Sequence, residues 1–188
     1  MPLRPYQKEA SDAAVTCFQR GMWNGLLTCP TGCGKSYIIA DIASRLDAPL
    51  LLFQPSREIL LQNYEKILNT GICDVGIYSA SLGMKNIRRI TLATIGSVHN
   101  HMDDFRLFKY VVVDEAHRVN AVSGMYKDYL MSRKDRCVIG LTATPYRLSG
   151  FMGCVKTTFL TRLQPRIYDK VLYVCQVGDM MDKGYLSK

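Results

Sequence analysis

Cys29-Pro30-Thr31-Gly32-Cys33-Gly34-Lys35-Ser36 lies between a short apolar run, Gly25 to Thr28, and a helix-like segment, Tyr37 to Leu46. Strand, glycine-bearing loop and helix in that order make a phosphate cradle. The loop turns successive backbone N–H groups into a concavity, and the helix adds its positive N-terminal end. Gly32 and Gly34 let the backbone approach a ligand without a clashing Cβ. In such a loop Lys35 reaches the β- and γ-phosphates of a nucleotide, and the Ser36 hydroxyl holds the Mg²⁺ that bridges them. Pro30, Thr31, Gly32, Cys33 and Gly34 supply the wall of the cradle. Cys29 stands where the strict form of the motif has its first glycine; the plainer alternative is a glycine-rich turn carrying a surface lysine.

Working outward towards the N-terminus, Leu3-Arg4-Pro5-Tyr6-Gln7 reads as a stiff lead-in to an amphipathic helix over Lys8 to Arg20. Ala10, Ala13, Ala14, Cys17 and Phe18 share one face of it and Gly21 stops it. Gln7 taken alone is a surface polar residue. Ahead of a phosphate loop it becomes a candidate reader of adenine, because its amide donates and accepts at once.

Towards the C-terminus, Pro49 to Gln54 is a continuous apolar run of the kind a parallel strand covered on both faces requires. Pro55-Ser56-Arg57-Glu58 then opens a helix with Ser56 as N-cap and Ile59, Leu60, Tyr64, Ile67 and Leu68 spaced for burial. A helix start bearing Ser56 and Arg57 suits phosphate, or is a capped helix with a solvated arginine. Cys73 to Ser79 is a shorter strand candidate, followed by a loop with the basic residues Lys85, Arg88 and Arg89. Ile90 to Thr94 leads as a strand into Ile95-Gly96-Ser97-Val98, where small residues and hydroxyls fit backbone contact with phosphate or a tight turn.

Lys109 to Val113 is the most strand-like run, and it delivers Asp114-Glu115-Ala116-His117 to its C-terminal end, where open α/β sheets bind ligands. Asp114 there supplies a second Mg²⁺-holding group, and Glu115 a base that orients water. Asp114 as a plain cap of the next turn is the alternative, but adjacent acids at a buried strand end are costly unless used. Arg136 to Leu141 is a further central strand ending in Thr142-Ala143-Thr144-Pro145. Asp128 to Met131 ends a helix, Ile167 to Val174 is a last strand candidate, Val177 to Lys183 a short helix capped by Gly184, and Tyr146 to Pro165 has no clear pattern.

With 188 residues, 48% of them hydrophobic, the chain has room for one α/β domain with a core and not for two. Its formal charge of +8 admits a polyanionic partner without requiring one. Seven cysteines, Cys17, Cys29, Cys33, Cys73, Cys137, Cys154 and Cys175, are scattered without a C-x-x-C pair. They read as reduced thiols of a cytosolic, cytoplasmic protein rather than as disulfides or a zinc site. No signal-peptide pattern or long apolar span points to export or a membrane.

Taken in order, Arg4-Pro5-Tyr6-Gln7, Thr31 to Ser36, Pro55-Ser56-Arg57-Glu58, Asp114-Glu115-Ala116-His117 and Thr142-Ala143-Thr144 resemble the motifs of the first motor domain of superfamily-two helicases and translocases. The Asp-Glu-Ala-His box, Thr-Ala-Thr-Pro-Tyr-Arg and the closing Gly184-Tyr185-Leu186 look most like the DNA-repair group that includes RadD and the XPB-type translocases. The resemblance implies a RecA-like P-loop NTPase sandwich with a mainly parallel sheet over residues 1–188, and an ATP- and Mg²⁺-using motor that moves on nucleic acid, DNA before RNA. It implies that Lys35 and Ser36 bind phosphate and Mg²⁺, Asp114 holds the metal, Glu115 activates water, and Arg4 with Gln7 contacts adenine. Thr142 and Thr144 would couple hydrolysis to movement, and His117 would signal to a second RecA-like domain, for which these residues have no match. Single-strand contacts fall near Ser56, Arg57, Thr94, Gly96 and Ser97. Two other functions share parts of this pattern: a duplex translocase of a restriction or repair complex, and a nucleotide-gated binding module without turnover, against which an intact Glu115 counts.

Overall fold

Pro5 opens the first helix rather than merely leading into it. In the computed structural model, which describes residues 3–21, 23–151 and 154–185 and only the backbone of 149–151 and 154–155, α1 runs Pro5–Arg20. Proline at the first helical position presets φ and gives up an N–H that has no intrahelical partner there. Gln7 Oε1 takes the Arg4 N–H at 2.9 Å, closing the cap, and Gly21, at φ 62°, ends the helix as expected. Ala10, Ala14, Cys17 and Phe18 of the predicted face are buried, joined by Tyr6, Ser11 and Val15.

Then follow β1 (Gly25–Thr28), α2 (Lys35–Arg45), β2 (Leu50–Phe53), α3 (Arg57–Leu68), β3 (Val75–Ser79), β4 (Met84–Lys85), β5 (Ile90–Ala93) and α4 (Ile95–His99). After these come β6 (Tyr110–Asp114), a 3₁₀ turn (Ala116–Arg118), α5 (Met125–Met131), β7 (Cys137–Thr142), the hairpin β8 (Tyr146–Phe151) and β9 (Cys154–Phe159), β10 (Lys170–Val174) and α6 (Val177–Asp182). The eight-stranded sheet has the order β10-β1-β7-β6-β2-β5-β3-β4 and is parallel except at β4, while β8 and β9 pair only with each other. The α/β expectation holds, with helices on both faces.

Continuous apolar runs make the central strands because alternate side chains enter different cores. Leu50 and Leu52 join Val112, Ile139 and Leu141 under α1, α2 and α3, whereas Leu51 and Phe53 join Val111, Val113 and Val138 under α4 and α5. Each such side chain contributes about 1.5–3 kcal/mol by burial. Gly140 has a packing reason: a Cβ there would lie 2.6 Å from the Ala116 Cβ and 2.8 Å from Leu26, so a side chain would push the Asp114–Arg118 segment off the sheet.

Register sets the site. Thr28 of β1 lies beside Thr142 of β7, and Asp114 of β6 beside Leu141, so the loops after three adjacent strands emerge at one edge. The loops after β2 and β5 emerge at that same edge, since both strands run parallel to β6. Arg88 and Arg89 precede β5 and therefore lie at the opposite edge, where Arg89 Nη1 holds the Leu46 carbonyl at 2.8 Å. Arg88 and Arg89 are thus away from the motif-bearing edge, whereas Lys85, paired with Tyr78, lies towards it. The described cysteines, all but Cys154, are free thiols, and among the described residues no helix is long and apolar enough to cross a membrane.

Candidate active site

The phosphate loop follows β1, with Cys29 N–H on the Thr142 carbonyl at 2.9 Å. Gly32 and Gly34 both take the left-handed region, at φ 82° and 81°, and a Cβ on Gly34 would meet Gln7 Nε2 at 2.6 Å. Both glycines are therefore required by conformation, and α2 starts directly after, with Lys35 and Ser36 in its first turn. Cys29 and Cys33 are buried in the core beneath the loop. The neighbouring Cys33 thiol, together with burial, pushes the Cys29 thiol far up, so the cysteine in the first glycine's place is a packed, protonated group.

Lys35 Nζ lies 2.9 Å from Glu115 Oε1, joining the first and fourth motifs. Asp114 is 5% exposed. Burial raises its carboxyl to about 6, Lys35 opposing and Glu115 reinforcing the rise. Its Oδ1 takes the Glu115 N–H at 3.0 Å, which helps hold Glu115 at φ 53°, the one non-glycine in the left-handed region among the described residues. Such a conformation persists only where its surroundings over-determine it, and it is a mark of functional sites.

His117 Nδ1 lies 3.3 Å from Glu115 Oε2 and 3.1 Å from Thr142 Oγ1. The Thr142 hydroxyl in turn accepts the Thr144 N–H at 3.1 Å. One buried hydroxyl thus connects the base-bearing segment to the loop after β7. Arg147 donates from Nε to the His117 carbonyl at 3.0 Å, tying the hairpin to the same turn.

At the loop's other flank Gln7 is nearly enclosed: Oε1 accepts from Arg4 N–H, and Nε2 donates to the Cys33 carbonyl at 2.9 Å and more weakly to Tyr6 Oη at 3.4 Å. An amide offers two lone pairs and two hydrogens, so one lone pair and a loosely held hydrogen remain. Arg4 stacks over the Tyr185 ring at 4.9 Å and donates to its carbonyl. The Gly184-Tyr185 turn therefore reaches this flank, a role hard to read in sequence because it closes a contact across the whole chain; Leu186 and Ser187 lie outside the described residues.

Along the same edge, Ser56 Oγ caps α3 by accepting the Ile59 N–H at 3.4 Å, and Arg57, exposed, pairs with Glu58 at 2.8 Å. Thr94 and Gly96 line a cleft of about 320 Å³. Ser97 is buried, its Oγ accepting the Ala80 N–H at 2.8 Å and meeting Thr94 Oγ1 at 2.9 Å, so its hydroxyl is engaged in holding α4 in place. The cleft is completed by Arg118, Asn120 and Ser123, which sequence reading passed over. Their signal was a basic residue directly after the Asp-Glu-Ala-His box and a polar, glycine-ended loop behind it.

The family described as type III restriction enzyme, res subunit, matches residues 1–147. Among curated relatives, a putative DNA 3'-5' helicase Rad25 of Halobacterium salinarum is 31% identical over 78% of this chain and 24% of its own length. The DNA 3'-5' translocase XPB2 of Sulfurisphaera tokodaii is 28% identical over 99% of this chain and 38% of its own. The chain thus spans well under half the length of these relatives. Its fold is shared with the ATP-dependent type ISP restriction-modification enzyme LlaBIII bound to DNA, at a TM-score of 0.72 and 16% identity over 98% of this chain and 16% of that one. It is shared too with the Sulfolobus solfataricus SWI2/SNF2 ATPase core in complex with double-stranded DNA, at 0.63 and 20% identity over 77% of this chain and 32% of that one. With the ordered motifs on one edge of a parallel sheet and the family match over most of its length, the chain belongs to the helicase-type family of type III restriction enzyme res subunits.

Proposed function

We propose that residues 1–188 are the first RecA-like, ATP-binding domain of a DNA-dependent ATPase that works as a helicase or translocase. The observation that carries this reading is the 2.9 Å approach of Lys35 to Glu115, with Asp114 next to Glu115 at the end of β6. Lysine, water-orienting acid and metal-holding acid must converge for phosphoryl transfer, and they do so here from separate loops. The donor set fits a hard cation: a Ser36 hydroxyl and an Asp114 carboxylate are oxygen ligands. The cradle fits a polyphosphate, since Gly32 and Gly34 hold the loop in the left-handed backbone conformation, at φ 82° and 81°, directly before the N-terminus of α2. Bound Mg-ATP would supply the phosphoryl group and the bridging charge.

In this reading Lys35 neutralises the β- and γ-phosphates while Glu115 is released to hold the attacking water. Arg4 and the spare valences of Gln7 meet adenine, with Pro30 to Gly34 wrapping the phosphates. Thr142, Thr144 and His117 pass a change at Glu115 to the loop after β7 and to a second RecA-like domain. A DNA strand lies along Ser56, Arg57, Thr94, Gly96 and Arg118, and cytoplasmic residence accords with the free thiols. The names of the curated relatives favour DNA over RNA.

Calorimetry tests the core of this. The chain should bind Mg-ADP and Mg-ATP in preference to the guanine nucleotides, Lys35→Ala should lose both, and Asp114→Ala should lose the Mg²⁺ contribution. Binding that survives Lys35→Ala undiminished would remove the phosphate assignment.

A further inference from the structure

Two buried amides lie between the DNA cleft and the metal carboxylate. Gln54, directly after β2, is 1% exposed and Asn63, in the middle of α3, is 0% exposed. Asn63 Nδ2 donates to Gln54 Oε1 at 2.7 Å, and the Asn63 side chain lies close enough to the Asp114 carboxylate to favour its charged form. A carboxylate favours the donor end of a neighbouring amide, so Nδ2 is the end of Asn63 turned towards Asp114 and Gln54, and its buried Oδ1 has no partner among the described residues. Gln54 must then present Oε1 to Asn63, and its Nε2 faces away without a partner among the described residues. Gln54 is also a wall of the cleft formed with Pro55, Thr94, Gly96 and Arg118. A buried amide donor is costly to leave unmade, and here it borders the cleft that the loops after β2 and β5 build.

We infer that Gln54 and Asn63 are positioning residues that connect the nucleic-acid cleft to Asp114, a backbone oxygen of a bound DNA strand accepting the free Gln54 Nε2 hydrogen. Filling that valence locks the Gln54 amide, which locks Asn63, which holds the Asp114 carboxylate in one orientation for the metal. The same chain of bonds works in reverse. A carboxylate held by metal polarises Asn63 and Gln54 and makes Nε2 a better donor to the strand. This route is separate from the one through Thr142, since it passes beneath β2 and α3 rather than along β7. The outer shell around a metal ligand ordinarily fixes its orientation in this way. The inference rests on the motor-domain reading, which supplies both ligands.

The test is the linkage between the two ligands, measured on the 188-residue chain by fluorescence anisotropy of a labelled oligo-dT at low salt, with and without saturating Mg-ADP. Coupling between sites is reciprocal and is commonly about fivefold or more in affinity. The wild-type chain should show such a ratio, and Gln54→Met and Asn63→Leu should each bring it to within about twofold of one. The two variants differ elsewhere. Asn63→Leu should also weaken the Mg²⁺ dependence of ADP affinity, whereas Gln54→Met, which does not touch Asp114, should leave ADP affinity without oligonucleotide as it is. Circular dichroism melting checks that each variant folds; if Asn63→Leu does not, the Gln54→Met ratio decides alone.

A coupling ratio unchanged in both variants, or absent from the wild-type chain although both ligands bind, overturns the amide connection and leaves the motor-domain reading standing. A wild-type chain that fails to bind oligo-dT at all removes the DNA cleft and this connection together.

Discussion

Lys35 Nζ and Glu115 Oε1 are 2.9 Å apart, an ion pair between the start of α2 and the acid that follows β6, with 12% and 26% of the two side chains exposed. The pair has two consequences. It holds the lysine pointed into the cradle, and it makes Glu115 a competitor of phosphate for the same ammonium group. Glu115 is itself constrained by the Asp114 carboxylate on its N–H and by His117 on its second oxygen. Phosphate arriving at Lys35 therefore frees Glu115 at the point where a water must be held.

Glu115→Gln should accordingly bind Mg-ATP at least as tightly as the unaltered chain while losing whatever turnover it has. Removing the competing charge should strengthen binding or leave it unchanged, because Lys35 then gives up no ion pair to reach phosphate. Calorimetry on both proteins reads it directly. A large loss of affinity would mean that Glu115 contributes to phosphate or metal binding and not to water alone.

Asp114→Asn should make the protein more stable at neutral pH. Burial raises the Asp114 carboxyl from 3.8 to about 6, so the folded chain binds more protons than the unfolded chain between those values, and stability falls as pH rises through that window. Above pH 6 the whole penalty is present, on the order of 3 kcal/mol at 1.36 kcal/mol per pKa unit; below about pH 4 it is gone. Urea unfolding at pH 7 should show a gain of about 1–3 kcal/mol for the variant, and unfolding at pH 4 little or none. Equal gains at both pH values would show that the burial penalty is not the cause.

DNA contacts should map to one edge of the sheet. Arg57→Ala and Arg118→Ala should each weaken oligo-dT binding and lower the slope of log affinity against log salt by about 0.7, the share of one phosphate contact on a single strand. Arg88→Ala with Arg89→Ala should leave affinity alone, because both residues sit at the opposite ends of the strands. Arg89→Ala should instead lower stability by about 1 kcal/mol through the loss of its bond to the Leu46 carbonyl. Anisotropy across a salt series separates these outcomes.

The sheet was legible because its central strands are buried on both faces and therefore spelled in unbroken apolar runs, as in Leu50–Phe53 and Val111–Val113. The phosphate loop, Asp114 and Glu115 were legible because φ-positive glycines and acids at a strand end have few other uses. What escaped has its reasons. Pro5 looked like a lead-in because proline breaks helices everywhere except the first turn, where it belongs. The hairpin β8–β9 carries exposed Leu148 and Phe159, so burial does not impose the alternation that marks a strand. The bond of the Ser97 hydroxyl to Ala80, seventeen residues back, gives no sign in sequence. Arg118, Asn120 and Ser123 lie in a loop whose course is set by tertiary contact, such as Arg118 Nη1 on the Pro55 carbonyl at 3.2 Å. Asn63 was hidden among helix-surface polar residues because only the fold turns it inward.

The chain alone should hydrolyse ATP slowly, although Lys35, Asp114 and Glu115 are assembled. Charge that develops on the γ-phosphate is commonly met by an arginine brought from outside the nucleotide's own domain, worth roughly 10³ to 10⁵ in rate in related P-loop enzymes. The candidate within this chain that the motifs offer is Arg147, directly after Thr144-Pro145-Tyr146. Its Nε is spent on the His117 carbonyl at 3.0 Å, which anchors the hairpin to the turn after β6 rather than aiming the guanidinium at the cradle. Arg147→Ala should therefore loosen the hairpin and lower stability while leaving the basal rate where it was. Supplying a second RecA-like domain, fused behind residue 188, should raise the rate by orders of magnitude and make it depend on DNA. A phosphate-release assay decides: fast, DNA-stimulated turnover by the 188-residue chain that collapses in Arg147→Ala would show that the domain completes its own active site.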